Sequence, residues 1–507
     1  MDKRKAIINI TTSVIFKLII LVVSIFARRY LVNILGTEAT GIYSLYISII
    51  GFLSIAELGI GTAITFSMYK PIVDGDKDLV SGLYYLYKKT YSIIFILMLI
   101  TGIILTPFLP YLMKDQTGTY NIYITYLIFL AGTLVTYFYA YKTSFIEAHL
   151  DKYVTTTILS VGKIFEAILQ IIVLLTTKSF ILFLSTILIS NTLQWIATQI
   201  VFKYKYSHLI NENKDIPVEV REDVVKKTKA MFFHKIGGLL VVSTDSIIIS
   251  AFVGISLLGI FSNYTMIATT MVGILVLIFK SIISIIGHSY AKNTKEVYHR
   301  QFKPIYLINY ILALIFFLGF YATVDNVIGM IYGKDLIIAK NIVLVISLNY
   351  FISFMRQATM SFKDAAGLFY HDRYKPLLEG VVNLILSLIF VFIWGIAGVL
   401  MATIITNIFI TSTIEPYVLY KHGFEKSPKK YYVYNYGGLI LFLGGIFLFN
   451  LIPFKDQTNQ FKAFLINGFT AVGIAVAILL ILYIFNKEVR KITNDLLKQG
   501  LSLFKKK

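Results

Sequence analysis

The sequence predicts an all-α integral membrane protein of about fourteen transmembrane helices. They form two pseudo-symmetric six-helix lobes plus two C-terminal helices, with both chain ends in the cytoplasm. Three observations carry this expectation. Apolar runs long enough to cross a bilayer recur along the whole chain, charge is scarce, and basic residues gather on alternate loops. The 507 residues are 57% hydrophobic and only 15% charged, whereas a soluble protein carries roughly a quarter charged residues. The deficit implies that much of the surface faces lipid.

Crossing a hydrocarbon core of about 30 Å takes roughly 20 apolar residues in a helix. Segments meeting this test lie at 8–33, 41–69, 91–113, 121–145, 155–177, 181–203, 231–253, 257–285, 305–327, 338–362, 377–396, 398–420, 435–453 and 463–486. The first begins near Ile7 and is not followed by a small-residue cleavage site, so it reads as a span rather than a signal peptide. The tightest connections are Thr177-Lys178-Ser179 and Gly395-Ile396-Ala397-Gly398. The expected organisation is a six-helix lobe over 1–203, a cytoplasmic linker over 204–230, a second six-helix lobe over 231–420 and two additional transmembrane helices over 421–486. The tail, 487–507, places Val489, Ile492, Leu496, Leu497, Leu501 and Phe504 at helical spacing among lysines. It is expected to be a basic amphipathic helix on the inner membrane surface.

Orientation follows from the basic residues. With the N-terminus inside, Lys3, Arg4, Lys5, Lys70, Lys88, Lys89, Lys226, Lys227, Lys429, Lys430 and Lys505 to Lys507 are all cytoplasmic. About 37 Lys and Arg then lie inside and about 8 outside. The net charge of +20 accordingly points to phospholipid head groups as partners, not nucleic acid.

An internal repeat supports the two lobes. Gly36, Gly41, Ile42, Tyr43, Ser44 and Tyr46 match Gly254, Gly259, Ile260, Phe261, Ser262 and Tyr264 at one constant offset, which also pairs Lys17 with Lys235. An even number of helices separates the copies, so both halves insert the same way round. Two such bundles facing one another are expected to enclose a central cavity.

Chemistry is excluded more easily than assigned. Cysteine is absent, so thiolate chemistry and disulfides are excluded, and no metal site is expected. No Gly-x4-Gly-Lys-Ser/Thr phosphate loop occurs, and no cofactor or catalytic residue is expected. Asp74-Gly75-Asp76-Lys77-Asp78 resembles half a calcium loop but reads as a polar turn. A membrane glycosyltransferase or polymerase is disfavoured, because the outer loops are about ten residues or fewer.

Ionisable residues inside spans are informative, since each costs several kcal/mol unless it meets water or a partner. Lys17 lies mid-helix, with Arg28 about 16 Å further along the same face and Arg29 beside it. Arg28 and Arg29 suit a phosphate fork and Lys17 a point charge, or the arginines snorkel to head groups. Lys163, Glu166 and Gln170 form one polar stripe, with Lys163 and Glu166 placed for an intrahelical ion pair. Glu57, His234, Lys235, Asp245 and Arg356 complete the candidate cavity residues, with Asn349, Gln357, Glu379 and Asn383 as further polar positions in spans. Glu57 could instead pair with a basic residue, and His234 could be a satisfied interhelical histidine. Tyr69, Tyr84, Tyr85, Tyr141, Tyr431 and Tyr432 at span ends fit an interfacial belt.

The stretch Ser243-Thr244-Asp245-Ser246-Ile247-Ile248-Ile249-Ser250-Ala251-Phe252-Val253-Gly254, with Gly259 and Tyr264, resembles the polysaccharide-exporter branch of the multidrug/oligosaccharidyl-lipid/polysaccharide exporter (MOP) superfamily. So do Leu35-Gly36, Gly41-Ile42-Tyr43 and Glu57-Leu58-Gly59-Ile60-Gly61. The resemblance spans the chain and implies a Wzx-type flippase of the bacterial cytoplasmic membrane. Such a protein carries undecaprenyl-pyrophosphate-linked oligosaccharide repeat units from the inner to the outer leaflet, for capsule, O-antigen or related polysaccharide. It implies alternating access of a cationic cavity, a monomer, and association with a polymerase and glycosyltransferases. Carried onto this sequence, Lys17, Arg28, Arg29 and Lys163 become pyrophosphate candidates, with His234, Lys235 and Asp245 facing them. A peptidoglycan-precursor (lipid II) flippase fits the same chemistry. A drug exporter of the superfamily fits less well, since helix 1 lacks the proline and carboxylate typical of that branch.

Overall fold

The computed structural model describes residues 3–57, 59–211, 215–453 and 459–504. Among these residues every regular element is a helix, and the chain divides into two compact units, Met1–Ile260 and Phe261–Lys507. The first contains α1 (Lys3–Leu53), α2 (Ile60–Asp74), α3 (Lys77–Leu105), α4 (Ile122–Leu134), α5 (Ala140–Ala148), α6 (Lys152–Thr177), α7 (Phe180–Lys205) and α8 (Val218–Ile248). Helix α9 (Ile255–Lys292) runs from the first unit into the second. The second continues with α10 (Lys295–Ile331), α11 (Lys340–Met355), α12 (Gln357–Ala365), α13 (Lys375–Thr406), α14 (Ser412–Val418), α15 (Lys429–Leu451), α16 (Gln460–Phe485) and α17 (Lys487–Phe504).

Twelve helical stretches among the described residues are long and apolar enough to cross a membrane. Two of them contain a reversal that helix continuity hides. Arg28 Nη2 lies 3.2 Å from Ser44 Oγ, yet residues sixteen apart on a straight helix are about 24 Å apart. The chain folds back at Gly36, whose φ of +82° and ψ of −177° are open to glycine and costly for other residues. Helix α13 does the same at Gly395, φ +56°, bringing Asn383 Nδ2 within 2.9 Å of Thr403 Oγ1. The multi-pass membrane fold read from the sequence is therefore present, with the expected turn at 395–398. The turn at 177–179 is present too, where Ser179 caps α7 by accepting from Leu182 N–H.

Within the first unit α1 packs along α6 and α8, α6 along α7, and α7 along α4. The glycine repeat makes the closest backbone approach. A Cβ on Gly41 would sit 1.9 Å from the carbonyl oxygen of Ile255, and one on Gly259 would sit 2.0 Å from that of Thr37. Each motif glycine thus faces the start of the other copy, the small-residue contact by which lipid-embedded helices approach closely. Lys114 clasps the same region: its N–H donates to Ser250 O at 3.1 Å, and its carbonyl accepts from Ile255 N–H at 3.0 Å.

Several tyrosines expected at the membrane interface lie in the cores instead. Tyr84 and Tyr431 are buried; Tyr84 stacks on Phe202 at 5.5 Å, and the Tyr431 hydroxyl lies 3.1 Å from Thr359 Oγ1. A span-end position brings tyrosine near the interface, but a hydroxyl partner and a ring neighbour make burial favourable. In the second unit α10 packs against α11, α15 and α16, and Phe351 stacks on Phe442 with ring centroids 4.0 Å apart. The Asp74–Asp78 run is a helix junction: Gly75 ends α2, and Asp76 caps α3 by accepting from Leu79 N–H at 2.9 Å.

Candidate functional site

In the first unit, the fold-back at Gly36 turns one face of the first helix toward the helix that follows it. Arg28 lies on that face and is 8% exposed, whereas Arg29, one residue and about 100° further round, is exposed. The two guanidinium groups therefore do not share one environment. Arg28 donates to Ser44 Oγ, which itself donates to Thr40 O at 2.8 Å. Tyr43 lies within electrostatic range of both Arg28 and Glu166, which brings the arginine and the polar stripe of α6 into one neighbourhood.

On α6, Lys163 donates to Glu166 Oε2 at 2.8 Å. The lysine is half exposed, while Glu166 is buried. One turn on, Gln170 is buried and its Nε2 has no hydrogen-bond partner among the described residues. A buried amide donor without an acceptor costs about 1–3 kcal/mol, which a ligand or water oxygen offsets. Tyr139, Ser190, Asn191 and Gln194 extend this polar interior. Tyr139 O–H donates to Gln194 Oε1 at 3.3 Å, and Gln194 Nε2 donates to Ser190 Oγ at 3.0 Å.

The remaining candidates are placed differently. Lys17 is exposed on α1. Glu57 sits in the short 3-10 turn between α1 and α2, where it accepts from Tyr91 O–H at 2.5 Å. Asp245 is half-buried on α8, the helix whose Ser243 Oγ lies where a Cβ on Gly51 would come within 2.9 Å. His234 and Lys235 belong to α8, but their side chains lie outside the described residues.

Arg356 enters a charge network in the second unit, and its donors face carboxylates. It grips Glu415 with two N–H groups, at 3.1 and 2.8 Å, and donates to Asn407 Oδ1 at 2.9 Å. Lys375 reaches the same Glu415 at 2.7 Å and Glu379 at 3.0 Å. Glu379 also lies 3.9 Å from Arg356. Two cations and two anions compensate one another. Such a network braces α11, α13 and α14 and has little capacity left for an anionic ligand. A second buried pair, Lys363 with Asp372, lies nearby in the chain. Glu415 and Lys375 were not singled out in the sequence. The one sequence signal for Glu415 is a lone carboxylate within the apolar segment 398–420.

A family model described as polysaccharide biosynthesis protein matches residues 3–288. No curated protein sequence matches the chain. Among solved structures, the lipid II flippase MurJ in its inward closed conformation is similar over 93% of this chain and 98% of its own, with a TM-score of 0.68 and 14% identity. An inward-facing MATE-family multidrug resistance transporter of the MOP superfamily covers 86% of this chain and 99% of its own, TM-score 0.62, 14% identity. A MOP superfamily transporter from Pyrococcus furiosus covers 83% and 96%, TM-score 0.53, 14% identity. These likenesses give the chain the fold of MOP superfamily transporters.

Proposed function

The chain belongs to the polysaccharide biosynthesis protein family, and from that membership we propose that it is a Wzx-type flippase. Its cargo is an undecaprenyl-pyrophosphate-linked oligosaccharide repeat unit, moved from the inner to the outer leaflet of the bacterial cytoplasmic membrane for capsule, O-antigen or related polymer assembly. The observation that carries the reading is Arg28, a guanidinium buried in a membrane-spanning helix within the part of the chain that the family model matches. An intramembrane cation is expensive unless it meets water, a partner or an anionic cargo. Tyr43 lies within electrostatic range of both Arg28 and Glu166 of α6, and one turn beyond Glu166 the buried amide donor of Gln170 has no acceptor among the described residues. A pyrophosphate supplies several acceptor oxygens for charge-assisted bonds to such groups.

The cycle this reading requires is alternating access, in which a basic groove shields phosphates and sugars while the lipid tail stays in the bilayer. The clasp at Gly41 and Gly259, helped by Lys114, then has to open and close. Moderate binding serves release, so Arg28, with Lys163 shared between Glu166 and the cargo and Lys17 as a further point charge, suffices. A peptidoglycan-precursor flippase is the second reading, favoured by coverage of nearly the full length of MurJ at the fold level.

Loss of the gene in a polymer-producing host tests the proposal. Lipid-linked repeat units should accumulate facing the cytoplasm, inaccessible to periplasmic glycan-modifying reagents, while lipid II continues to be exported. Normal polymer with arrested lipid II export would favour the second reading. Normal export of both would remove both.

A further inference from the structure

The second unit contains a cavity of about 960 Å³ that the transport reading does not use. Its wall is apolar and aromatic: Phe302, Tyr306 and Tyr310 from α10, and Val433, Gly437 and Leu441 from α15. Val489 and Ile492 of α17 close one side. Its mouth is basic, with Lys303, Lys426, Lys429 and Lys430 around it. We propose that this cavity binds one anionic glycerophospholipid of the membrane, its phosphate at Lys429 and Lys430 and an acyl chain along the aromatic wall.

Charge at the mouth is the first argument. Lys303 is held by Glu488, and Lys426 lies 3.8 Å from Glu296. Lys429 and Lys430 are exposed and make no ion pair among the described residues. Two ammonium groups outside any ion pair among the described residues, Lys430 within electrostatic range of Glu488, complement at the rim of an apolar cavity an amphiphile with an anionic head. A free phosphate would leave the aromatic wall unused, and a neutral apolar ligand would leave the lysines unused. Basic pockets between transmembrane helices are a recurrent site for acidic lipid head groups.

Shape is the second. A Cβ on Gly437 would meet nothing within 4 Å, whereas one on Gly438 would press on the Tyr310 ring at 2.8 Å. Gly438 thus holds α15 against α10, and Gly437 keeps a slot open beside that contact. The volume lies toward the upper end of the roughly 300–1,000 Å³ typical of small-molecule pockets. Position is the third. The wall helix α17 is amphipathic, with Val489, Ile492 and Leu496 half-buried while Lys487, Arg490 and Lys491 are exposed. Such a helix lies in the membrane interface, so the mouth opens at head-group level. On the orientation the basic residues predict, that is the inner leaflet, whose surface potential is negative.

Native mass spectrometry of the purified full chain, with phosphatidylglycerol or phosphatidylcholine added in neutral detergent, tests the site. Wild type should retain phosphatidylglycerol in preference. A lysine near a lipid surface contributes about fivefold, so the double substitution Lys429→Gln, Lys430→Gln should cut the preference by roughly 25-fold. Gly437→Phe keeps every lysine, fills the slot and improves helix propensity. It should lose bound lipid of both kinds while the protein elutes as wild type on size exclusion. Unchanged retention in Gly437→Phe, or an unchanged preference in the lysine variant, would overturn the proposal. So would displacement of phosphatidylglycerol by undecaprenyl phosphate at lower concentrations than phosphatidylglycerol itself requires, which would make the cavity a carrier-lipid site. None of these readouts measures flipping, so failure here leaves the transport reading standing.

Discussion

Replacing Glu415 with alanine should unfold the second unit more readily than any other single carboxylate removal in the charge network. Glu415 is 2% exposed as a side chain and receives both the Arg356 fork and the Lys375 ammonium. Its loss leaves a net positive charge between two cations that are 14% and 6% exposed. Breaking a buried pair by removing one partner costs about 3–5 kcal/mol. Glu379 remains within 3.9 Å of Arg356 and 3.0 Å of Lys375, which places the cost at the lower end, about 3 kcal/mol. That is roughly a hundredfold in the folding equilibrium. Equilibrium unfolding in mixed SDS–maltoside micelles reads it directly. Adding Arg356→Met to Glu415→Ala should recover part of the loss, because the stranded charge is removed with its partner. A Glu415→Ala protein within about 0.5 kcal/mol of wild type, or additive behaviour in the double variant, would refute the network as a structural brace.

Lys17→Ala should lower polymer export with protein levels intact, measured by surface glycan staining beside a membrane immunoblot; unchanged export removes Lys17 from the site. Gly41→Ala forces a methyl against the Ile255 carbonyl and should cost at least about 1–3 kcal/mol, read as a lower thermal midpoint in detergent. Gly444→Ala, where a Cβ meets nothing within 4 Å, is the matched control and should not lower it. Burial alone would raise the carboxyl pKa of Glu488, but hydrogen bonds from Lys303 and Tyr434 outweigh it and hold the group below the usual glutamate value. Docking of α17 is thus fully supported above about pH 4.3 and weakens as pH falls through the lowered value. Acid-protease cleavage of the tail should rise only in that acid range. Glu488→Gln should show the raised cleavage at every pH tested.

Much of the fold was legible because bilayer crossing imposes a length and a composition that show in single segments. The turns at 177–179, 74–78 and 395–398 were readable from local chemistry, and that Ser179 and Asp76 cap the helices that follow came from the structure. The glycine repeat was readable as duplication, but that Gly41 and Gly259 face one another required the packed backbone. The burial of Tyr84 and Tyr431 was not legible, since a tyrosine at a span end satisfies the interface and the core equally until its neighbours are known. At the site, sequence spacing grouped Arg28 with Arg29, and helical phase separates them: one side chain is buried and its neighbour is exposed. Arg356 was visible as an intramembrane cation. Its partner Glu415 lies 59 residues away, and no pattern in one sequence links two such positions. Lys163 and Glu166 were linked, because an i, i+3 spacing is local.

Transport of a fluorescent undecaprenyl-pyrophosphate oligosaccharide in proteoliposomes, wild type against Arg28→Gln, bears most directly on the central claim. Wild type should move the lipid between leaflets, and the variant, with size-exclusion behaviour unchanged, should move it about 10- to 100-fold more slowly, the worth of a charged hydrogen bond. Equal rates in the two proteins, or no movement by wild type above empty liposomes, would contradict a buried guanidinium that receives the diphosphate.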